Sequence, residues 1–351
     1  MIQIPHSSED LDQMAINYFK LIEKKFNIRE NLLNWPEDEL KSLMEVIETN
    51  LYTILTGRPK ELEDIIDMLK PLVITAKKEY EENYNKINQQ KPPDKQKPLN
   101  RTGINKWFKE KVFEIFNYDA NAYSFTKMDK GAMAYDHAKT LNMNTCPYCN
   151  TNFTYTIKTK KLKSRPQFDH FYNKGRHPYL ALSFFNLIPS CSLCNSGALK
   201  GQKQFNIKNN LHPFLESFDQ IYQFRTNIDT VEFLVSQKKF DLELVLCDNK
   251  KESDPDVKKA KNNLDVFALN DRYNFHKDIA GDVIKNAHIY CNTAIEDLYK
   301  SYKIGDKSIF ESPQEVKELV FGNYFNPLSF HQRIHSKLVR DIAEEFGVTI
   351  E

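Results

Sequence analysis

Two Cys-x-x-Cys pairs are the feature that most constrains the fold of this chain. Cys146 and Cys149 form the first pair, and Cys191 and Cys194 form the second. Together the pairs supply four thiolates, which complete the tetrahedral ligand set of a zinc ion and leave no open position. The spacing therefore predicts a closed, structural zinc site that ties two separate segments of the chain together.

The string Cys-Pro-Tyr-Cys is also a redox dithiol motif similar to that of glutaredoxin. A redox role requires a helix that begins at the first cysteine within a βαβ unit. Here Phe153, Tyr155 and Ile157 alternate with threonines, which predicts a strand instead. The second cysteine pair also favours zinc. The remaining cysteines, Cys247 and Cys291, lie on apolar stretches and are predicted to be small buried hydrophobic residues.

Composition narrows the class of protein. Six cysteines in 351 residues are too few for a disulfide scaffold. No apolar run approaches the roughly 18 residues of a membrane span, and the N-terminus lacks the pattern of a secretory signal. We therefore expect a cytoplasmic protein without membrane contact. With 40% hydrophobic residues and 10 glycines, the chain can bury cores and is expected to be rich in helix.

The distribution of charge indicates a polyanionic partner. Residues 143–212 contain ten Lys or Arg and a single acidic residue, a net charge of +9. The whole chain carries +1, so the remainder carries −8. A basic module within an acidic body is typical of nucleic-acid binding, with DNA as the expected polymer.

Periodicity divides the chain into three predicted regions. Residues 1–142 show helical spacing of apolar residues, interrupted by a proline-rich linker at 91–98. Residues 143–212 are predicted to hold two strands and a short closing helix over 191–200. Residues 213–351 are predicted to form strands at 219–224, 230–235 and 240–247, followed by helices over 256–302 and 313–345. The predicted fold class is α+β and mostly helical.

The 41 residues between the cysteine pairs carry a constellation that suits phosphodiester hydrolysis. Asp169 and an amide oxygen of Asn195 can hold a hard cation such as Mg²⁺ or Mn²⁺. A neutral His170 can deprotonate the attacking water. Adjacent residues of one strand point to opposite faces, so a bend or bulge is expected to bring Asp169 and His170 together. Asn186 is expected to constrain this region by bonding the opposing backbone.

The order of these residues resembles a known family. The pattern C-x-x-C … D-H … N-L-I-P-S-C-x-x-C-N is similar to the HNH, or ββα-metal, nucleases of the four-cysteine type. That resemblance implies a zinc-braced ββα-metal core, with Asp169 and Asn195 as ligands of the catalytic cation. It further implies that His170 is the general base and Asn186 the middle asparagine of the signature. The zinc cysteines would brace the fold without taking part in catalysis.

Longer stretches narrow the resemblance. Residues 168–171 with 177–183 resemble the HNH subunits of bacterial anti-phage systems of the Septu kind, which pair with an ATPase. Residues 269–278, which include Tyr273 and His276, and 336–342 resemble the same group. The resemblance implies an effector of anti-phage defence with an ATPase partner. A lysine often follows the final Cys-Asn in relatives, and here the nearest is Lys200, five residues later.

A basic turn precedes the Asp-His pair and offers phosphate contacts, to which Lys200 is added as a further candidate. Three other interpretations remain. One is a zinc-braced nucleic-acid-binding subunit without catalysis, another is a redox protein, and a third is a partner subunit whose nuclease core has decayed. The predicted phosphate-binding residues of the turn are Lys158, Lys160, Lys161, Lys163 and Arg165.

Overall fold

The computed structural model describes residues 1–228 and 240–349. Over these residues the fold is α+β and mostly helical, as predicted, and its described strands form four small two-stranded antiparallel sheets. No helix in the described ranges is both long and apolar enough to cross a membrane. The helices that precede the cysteine pairs are α1 (Ser8–Phe26), α2 (Ile28–Leu33), α3 (Lys41–Thr49), α4 (Leu51–Thr56), α5 (Pro59–Gln89), α6 (Arg101–Phe113) and α7 (Met128–Leu141).

Local signals explain where these helices begin. The Ser7 side chain accepts the backbone N–H of Asp10 at the start of α1, which satisfies one of the free donors of the first turn. Pro36 suits a first helical turn, yet the next helix, α3, begins only at Lys41. The Asp38 carboxylate accepts both the indole N–H of Trp35 and the backbone N–H of Leu40, and these bonds hold a turn in place of the first helical residues.

The middle region contains two short hairpins. Strands β1 (Ile157–Lys158) and β2 (Lys163–Ser164) enclose the basic turn, and β3 (Gln167–His170) pairs with β4 (Leu187–Ser190). The strand predicted around Phe153 is shorter than expected, because Phe153 makes only an isolated bridge with Thr145.

The short helix predicted over 191–200 is not formed. That segment is a series of turns, in which the backbone N–H of Cys194 donates to Sγ of Cys191 at 3.4 Å. The closing helix of a ββα-metal core is therefore absent from the described residues 191–212. The middle region thus holds two hairpins and a four-cysteine cluster, and the finer ββα-metal assignment stays a prediction.

The C-terminal region pairs β5 (Tyr222–Thr226) with β6 (Leu242–Leu246), close to two of the predicted strands. The strand predicted at 230–235 lies outside the described residues. A small hairpin of β7 (Lys303–Ile304) and β8 (Lys307–Ser308) was not predicted. The helices of this region are α8 (Pro255–Val266), α9 (Leu269–Tyr273), α10 (Lys277–Ile289), α11 (Asn292–Ser301), α12 (Pro313–Phe321) and α13 (Ser336–Glu345).

One hydrophobic cluster joins all three predicted regions. Its buried members run from Met1 through the cysteine segment to Val348. The boundaries at residues 142 and 212 therefore separate regions of different sequence pattern, and their status as domain boundaries remains a prediction. The prediction of buried hydrophobic cysteines is wrong for Cys291, which is exposed at the start of α11, and Cys247 is only half-buried.

Candidate active site and metal centre

The four cysteines of the two pairs meet in one buried cluster. Their sulfur atoms all lie within 4.8 Å of one another, and the Sγ atoms of Cys149 and Cys191 are 4.0 Å apart. Zn–S bonds of about 2.3 Å in a tetrahedron place sulfurs about 3.8 Å apart, so the set fits zinc. Burial raises the pKa of the Cys146 thiol, and the neighbouring sulfurs raise it further. The cluster can hold a structural metal such as zinc, which would stabilise the thiolate form.

The first cysteine turn is anchored to the C-terminal region. Asn150 adopts a left-handed backbone conformation with φ of 51°, which asparagine tolerates better than most residues. Its backbone N–H donates to the carbonyl of Cys146 at 2.8 Å, which closes the turn. Its side-chain amide donates to the carbonyls of Phe330 and Arg333, both at 3.1 Å. The loop before α13 therefore fixes the position of the first cysteine pair.

Residues of α9 also contact the cluster. Arg272 donates to Sγ of Cys194 at 3.3 Å, and the hydroxyl of Tyr273 donates to the carbonyl of Cys149 at 2.6 Å. Four thiolates around one Zn²⁺ would leave two negative charges, and the Arg272 guanidinium offsets part of that charge. The stretch that contains Tyr273 thus has a structural contact with the cysteine cluster.

Asp169 lies in β3 opposite Ile188 and is almost fully buried. Its Oδ2 accepts the hydroxyl of Tyr148 at 2.6 Å, and its Oδ1 accepts Nζ of Lys200 at 2.9 Å. Lys200 also donates to the carbonyl of His170 at 2.7 Å. Both carboxylate oxygens therefore have a protein partner, and each retains lone-pair capacity for a second one.

His170 follows Asp169 and ends β3. Its Nε2 lies 3.0 Å from the carbonyl oxygen of Ala181, and the ring packs edge-on against Tyr118. A carbonyl can only accept, so Nε2 carries the proton and Nδ1 is the basic nitrogen of the neutral ring. Burial, followed by the positive charge of Lys174, holds the pKa of His170 well below its usual value. The imidazole is thus neutral near pH 7.

The predicted bulge between Asp169 and His170 is wrong. β3 pairs with β4 in unbroken register from Gln167 to His170. Asp169 and His170 nevertheless both line one pocket. The pocket also includes residues that follow the end of β3, so it opens where the strand stops. The pocket has a volume of about 430 Å³ and is lined by Phe168, Asp169, His170, Asn173, Lys174, Asn195, Gly197, Gly201 and Gln202.

Asn186 holds the backbone across from β3, in the way that the sequence predicts. Its Oδ1 accepts the backbone N–H of Tyr172 at 2.7 Å. Its Nδ2 donates to the carbonyls of Tyr172 and Leu180 at 3.1 and 2.8 Å. The side chain is fully buried and does not line the pocket. Asn186 therefore positions the residues around His170 and has no direct access to a substrate there.

Asn195 lies in the pocket wall and is partly exposed. Its Nδ2 donates to the side-chain oxygen of Gln167 at 2.9 Å. The amide oxygen is then available to the pocket. The structure thus brings Asp169, His170 and Asn195 together, whereas Lys200 lies beneath them, and its side chain is only 1% exposed. A buried Lys200 paired with Asp169 cannot contact phosphate in this conformation.

The basic turn projects from the β1–β2 hairpin. Lys158 forms an ion pair with Asp136 at 3.1 Å, and the guanidinium of Arg165 packs over the rings of Tyr135 and Phe168. The other three lysines of the turn are exposed and make no ion pair with any described residue. They are Lys160, Lys161 and Lys163.

Replacing Lys200 with methionine is expected to destabilise the fold by about 3–5 kcal/mol, because it leaves the buried Asp169 carboxylate without its cation. The midpoint of urea unfolding, measured with EDTA, gives this loss. Lys203→Met, on an exposed side chain three residues later, serves as the control. Adding Asp169→Asn to Lys200→Met should recover much of the loss. An unchanged midpoint for Lys200→Met would contradict the pairing.

Several residues at the site have no signal in the sequence reasoning. Tyr148 stands inside the cysteine motif, where nothing in the sequence assigns it a role, yet it donates to Asp169. Tyr118 packs on His170 from the helical N-terminal region, to which no function was assigned. Arg272 reaches the cysteine cluster across more than seventy positions of chain. Arg272 lies next to Tyr273 within residues 269–278, and this position is the signal in the sequence that could have indicated its importance.

Comparison with protein-family models, with curated proteins and with solved structures finds no match to this chain. The function must therefore be inferred from the site itself.

Proposed function

We propose that this chain is a metal-dependent endonuclease that hydrolyses phosphodiester bonds, with DNA as the expected substrate. The observation that carries the proposal is that Asp169, His170 and Asn195 line one pocket beside the four-cysteine cluster. A carboxylate, an amide and a neutral imidazole are the groups that cation-assisted hydrolysis of a phosphodiester requires. The segment around them carries a net charge of +9, which suits a polyanionic substrate.

His170 is the general base in this proposal. Its Nε2–H is held by the carbonyl of Ala181, so Nδ1 is the nitrogen that takes the proton of the attacking water. Asn186 keeps the backbone around this ring in place through its bonds to Tyr172 and Leu180. The carbonyl of Ala181 also stabilises the protonated ring that results, because it continues to accept the Nε2–H bond.

Asp169 and Asn195 would hold the catalytic cation, Mg²⁺ or Mn²⁺. Each carboxylate oxygen of Asp169 retains acceptor capacity beyond its bond to Tyr148 or Lys200, so the donor set fits a hard cation. When bound, such a cation stabilises negative charge on the phosphate and on the leaving oxygen. The ammonium of Lys200 would then lie beside a second positive charge, and it would have to turn toward the carbonyl of His170.

One observation favours the main alternative, a zinc-braced nucleic-acid-binding subunit without catalysis. In that alternative Asp169 has no catalytic role and needs a structural one. The structure supplies one, since Asp169 compensates the buried charge of Lys200 and accepts the hydroxyl of Tyr148. A plasmid assay separates the two functions. With Mg²⁺ or Mn²⁺ the nuclease converts supercoiled plasmid to nicked or linear forms, and EDTA stops the conversion. Binding of plasmid without conversion under either cation would support the alternative.

The basic turn is proposed to grip phosphates next to the pocket. Replacing Lys158, Lys160, Lys161 and Lys163 with alanine should flatten the slope of log K against log salt by roughly two to three units, at about 0.9 per lost duplex phosphate contact. The slope is measured by fluorescence anisotropy on a short DNA duplex. Metal content should not change, because these side chains lie outside the cysteine cluster. An unchanged slope would mean that these lysines do not contact DNA and that the turn is an ordinary solvent-exposed loop.

A role as effector of anti-phage defence with an ATPase partner is proposed on the family resemblance. The net charge of −8 outside residues 143–212 supports protein contacts through the flanking regions. A pull-down of the tagged chain with an ATPase encoded by a neighbouring gene tests this pairing. Full and regulated cleavage by the isolated chain would count against it.

A further inference from the structure

A row of cations runs along one face of α6. Arg101, Asn105 and Lys109 are spaced four residues apart, so their side chains lie along one face of the helix. Lys77 of α5 joins that row, because its Nζ donates to Oδ1 of Asn105 at 2.8 Å and lies over the ring of Phe108. We call Lys77, Arg101, Lys109 and Arg176 the α6 basic face.

Arg176 joins this face because it lies two residues before Pro178–Leu180, the segment against which α6 packs. Burial and then the charges of Arg101 and Arg176 lower the pKa of Lys77. Burial, Arg176 and Lys77 together lower the pKa of His177 to about 4. The rings of Tyr80 and Trp107 stack at 3.8 Å and hold α6 against α5, so the face has a firm support.

One end of the face reaches the pocket that contains His170. α6 packs against Pro178–Leu180, and the carbonyl of the next residue, Ala181, bonds Nε2 of His170. Lys174 lines the pocket and lies over the ring of Tyr118 at 4.4 Å, and Tyr118 in turn packs on His170. The face is therefore continuous with the candidate active site.

The cations of this face lack acidic partners. Within residues 1–228 and 240–349, none of the four makes an ion pair with a carboxylate, whereas Lys174 is paired with Asp119. Three lysines on other faces of the same two helices pair with glutamates one turn away. The pairs are Lys78 with Glu82, Lys106 with Glu110, and Lys111 with Glu114. Mutually repelling charges are thus left uncompensated where the two helices meet, and a polyanion would compensate them.

We infer that the α6 basic face binds the phosphate backbone of duplex DNA and directs it into the pocket at Asp169 and His170. Arg101 and Lys109 are eight residues apart, about 12 Å along the helix axis, which is the rise of three to four base pairs. A row of that length matches a repeating polyanion better than a single phosphate group. The inference gives the helical N-terminal region a role in substrate binding, and it rests on the proposed function because it takes the pocket as the place of cleavage.

A charge-matched pair of triple variants tests this inference. The face variant is Arg101→Gln with Lys109→Gln and Arg176→Gln. The control is Lys78→Gln with Lys106→Gln and Lys111→Gln, which removes the same charge from α5 and α6. The affinity for a DNA duplex is measured by fluorescence anisotropy at salt concentrations from about 0.05 to about 0.3 M, which include the physiological value. EDTA is present so that no cation-dependent cleavage occurs.

The face variant should bind about 100-fold more weakly near 0.15 M salt, with a slope flattened by two to three units. The control should retain the affinity and slope of the unaltered chain within about threefold and half a unit. Equal losses in the two triples, or none in either, would overturn the inference. Because Arg101 and Arg176 are exposed, Arg101→Gln with Arg176→Gln gives the same test should the triple misfold. Plasmid cleavage is measured separately, with Mg²⁺ or Mn²⁺ present. If the unaltered chain cleaves plasmid but the face variant keeps the same salt slope, only the inference about the face is disproved. If the unaltered chain binds DNA through the face but does not cleave it, only the proposed nuclease activity is disproved.

Discussion

Replacing His170 with alanine is expected to slow plasmid cleavage by about 10²–10⁴-fold, the usual effect of losing a general base. The reason is local, because Nδ1 of His170 is the basic nitrogen that faces the attacking water in the proposed mechanism. Metal content and DNA affinity should stay near those of the unaltered chain. The rate is followed as the loss of supercoiled plasmid with Mg²⁺ or Mn²⁺ in excess.

Two further variants keep this result interpretable. His170 is buried, so alanine leaves a cavity that lowers stability by an amount that thermal unfolding measures. His170→Gln retains an N–H donor for the carbonyl of Ala181 and lacks the base, so it should be equally inactive and more stable. His331→Ala removes an imidazole far along the chain, where it bonds only the carbonyl of Leu328, and should cleave normally. Undiminished cleavage by His170→Ala would remove His170 from the mechanism.

Features that depend on short sequence spacing were predictable. The two Cys-x-x-Cys pairs predict the four-sulfur cluster, because each pair forms its own tight turn and four sulfurs satisfy one metal. The α1 cap at Ser7 is equally local. The bonds of Asn186 to the backbone near His170 were expected from its place opposite the Asp-His pair. In each case the sequence pattern itself is short, and the Asn186 bonds lie at the end of the hairpin formed by β3 and β4.

Features that depend on distant contacts were not predictable. The pairing of Lys200 with Asp169 joins residues 31 positions apart through a chain of turns that replaces the expected helix. Arg272 and Asn150 connect the cysteine cluster to α9 and to the loop before α13, across 78 and 183 positions of sequence. The spacing of apolar residues in the sequence does not predict such contacts, because each is made by a single polar side chain.

These distant contacts explain why the cysteine cluster and the pocket depend on each other. Tyr148 lies between Cys146 and Cys149 in the first turn, and its hydroxyl donates to Asp169. Its ring stacks on Phe267 of the C-terminal region at 4.5 Å. A change in the geometry of the cluster therefore moves a hydrogen-bond donor of the pocket directly. The cluster supports the site through Tyr148 without facing the substrate.

Replacing Cys146 with serine is consequently expected to abolish both metal binding and the folded state. The apparent free energy of a structural zinc site is about 10–16 kcal/mol, as large as the whole stability of a typical protein. The buried serine hydroxyl would replace a thiolate among three sulfurs and leave the metal one ligand short. The Cys146→Ser variant is expected to be insoluble or protease-sensitive. Elemental analysis should find about one zinc per chain in the unaltered protein and none in the variant.

Cys291→Ser provides the matched control. Cys291 is exposed and lies outside the cluster, so its replacement should leave zinc content and melting temperature unchanged. X-ray absorption on the unaltered protein should show sulfur ligands near ~2.3 Å. A folded, soluble Cys146→Ser variant with the melting temperature of the unaltered chain would contradict the structural role of the cluster. Active protein that contains no zinc would do so as well, because four thiols buried together without a cation would then suffice to hold Tyr148 against Asp169.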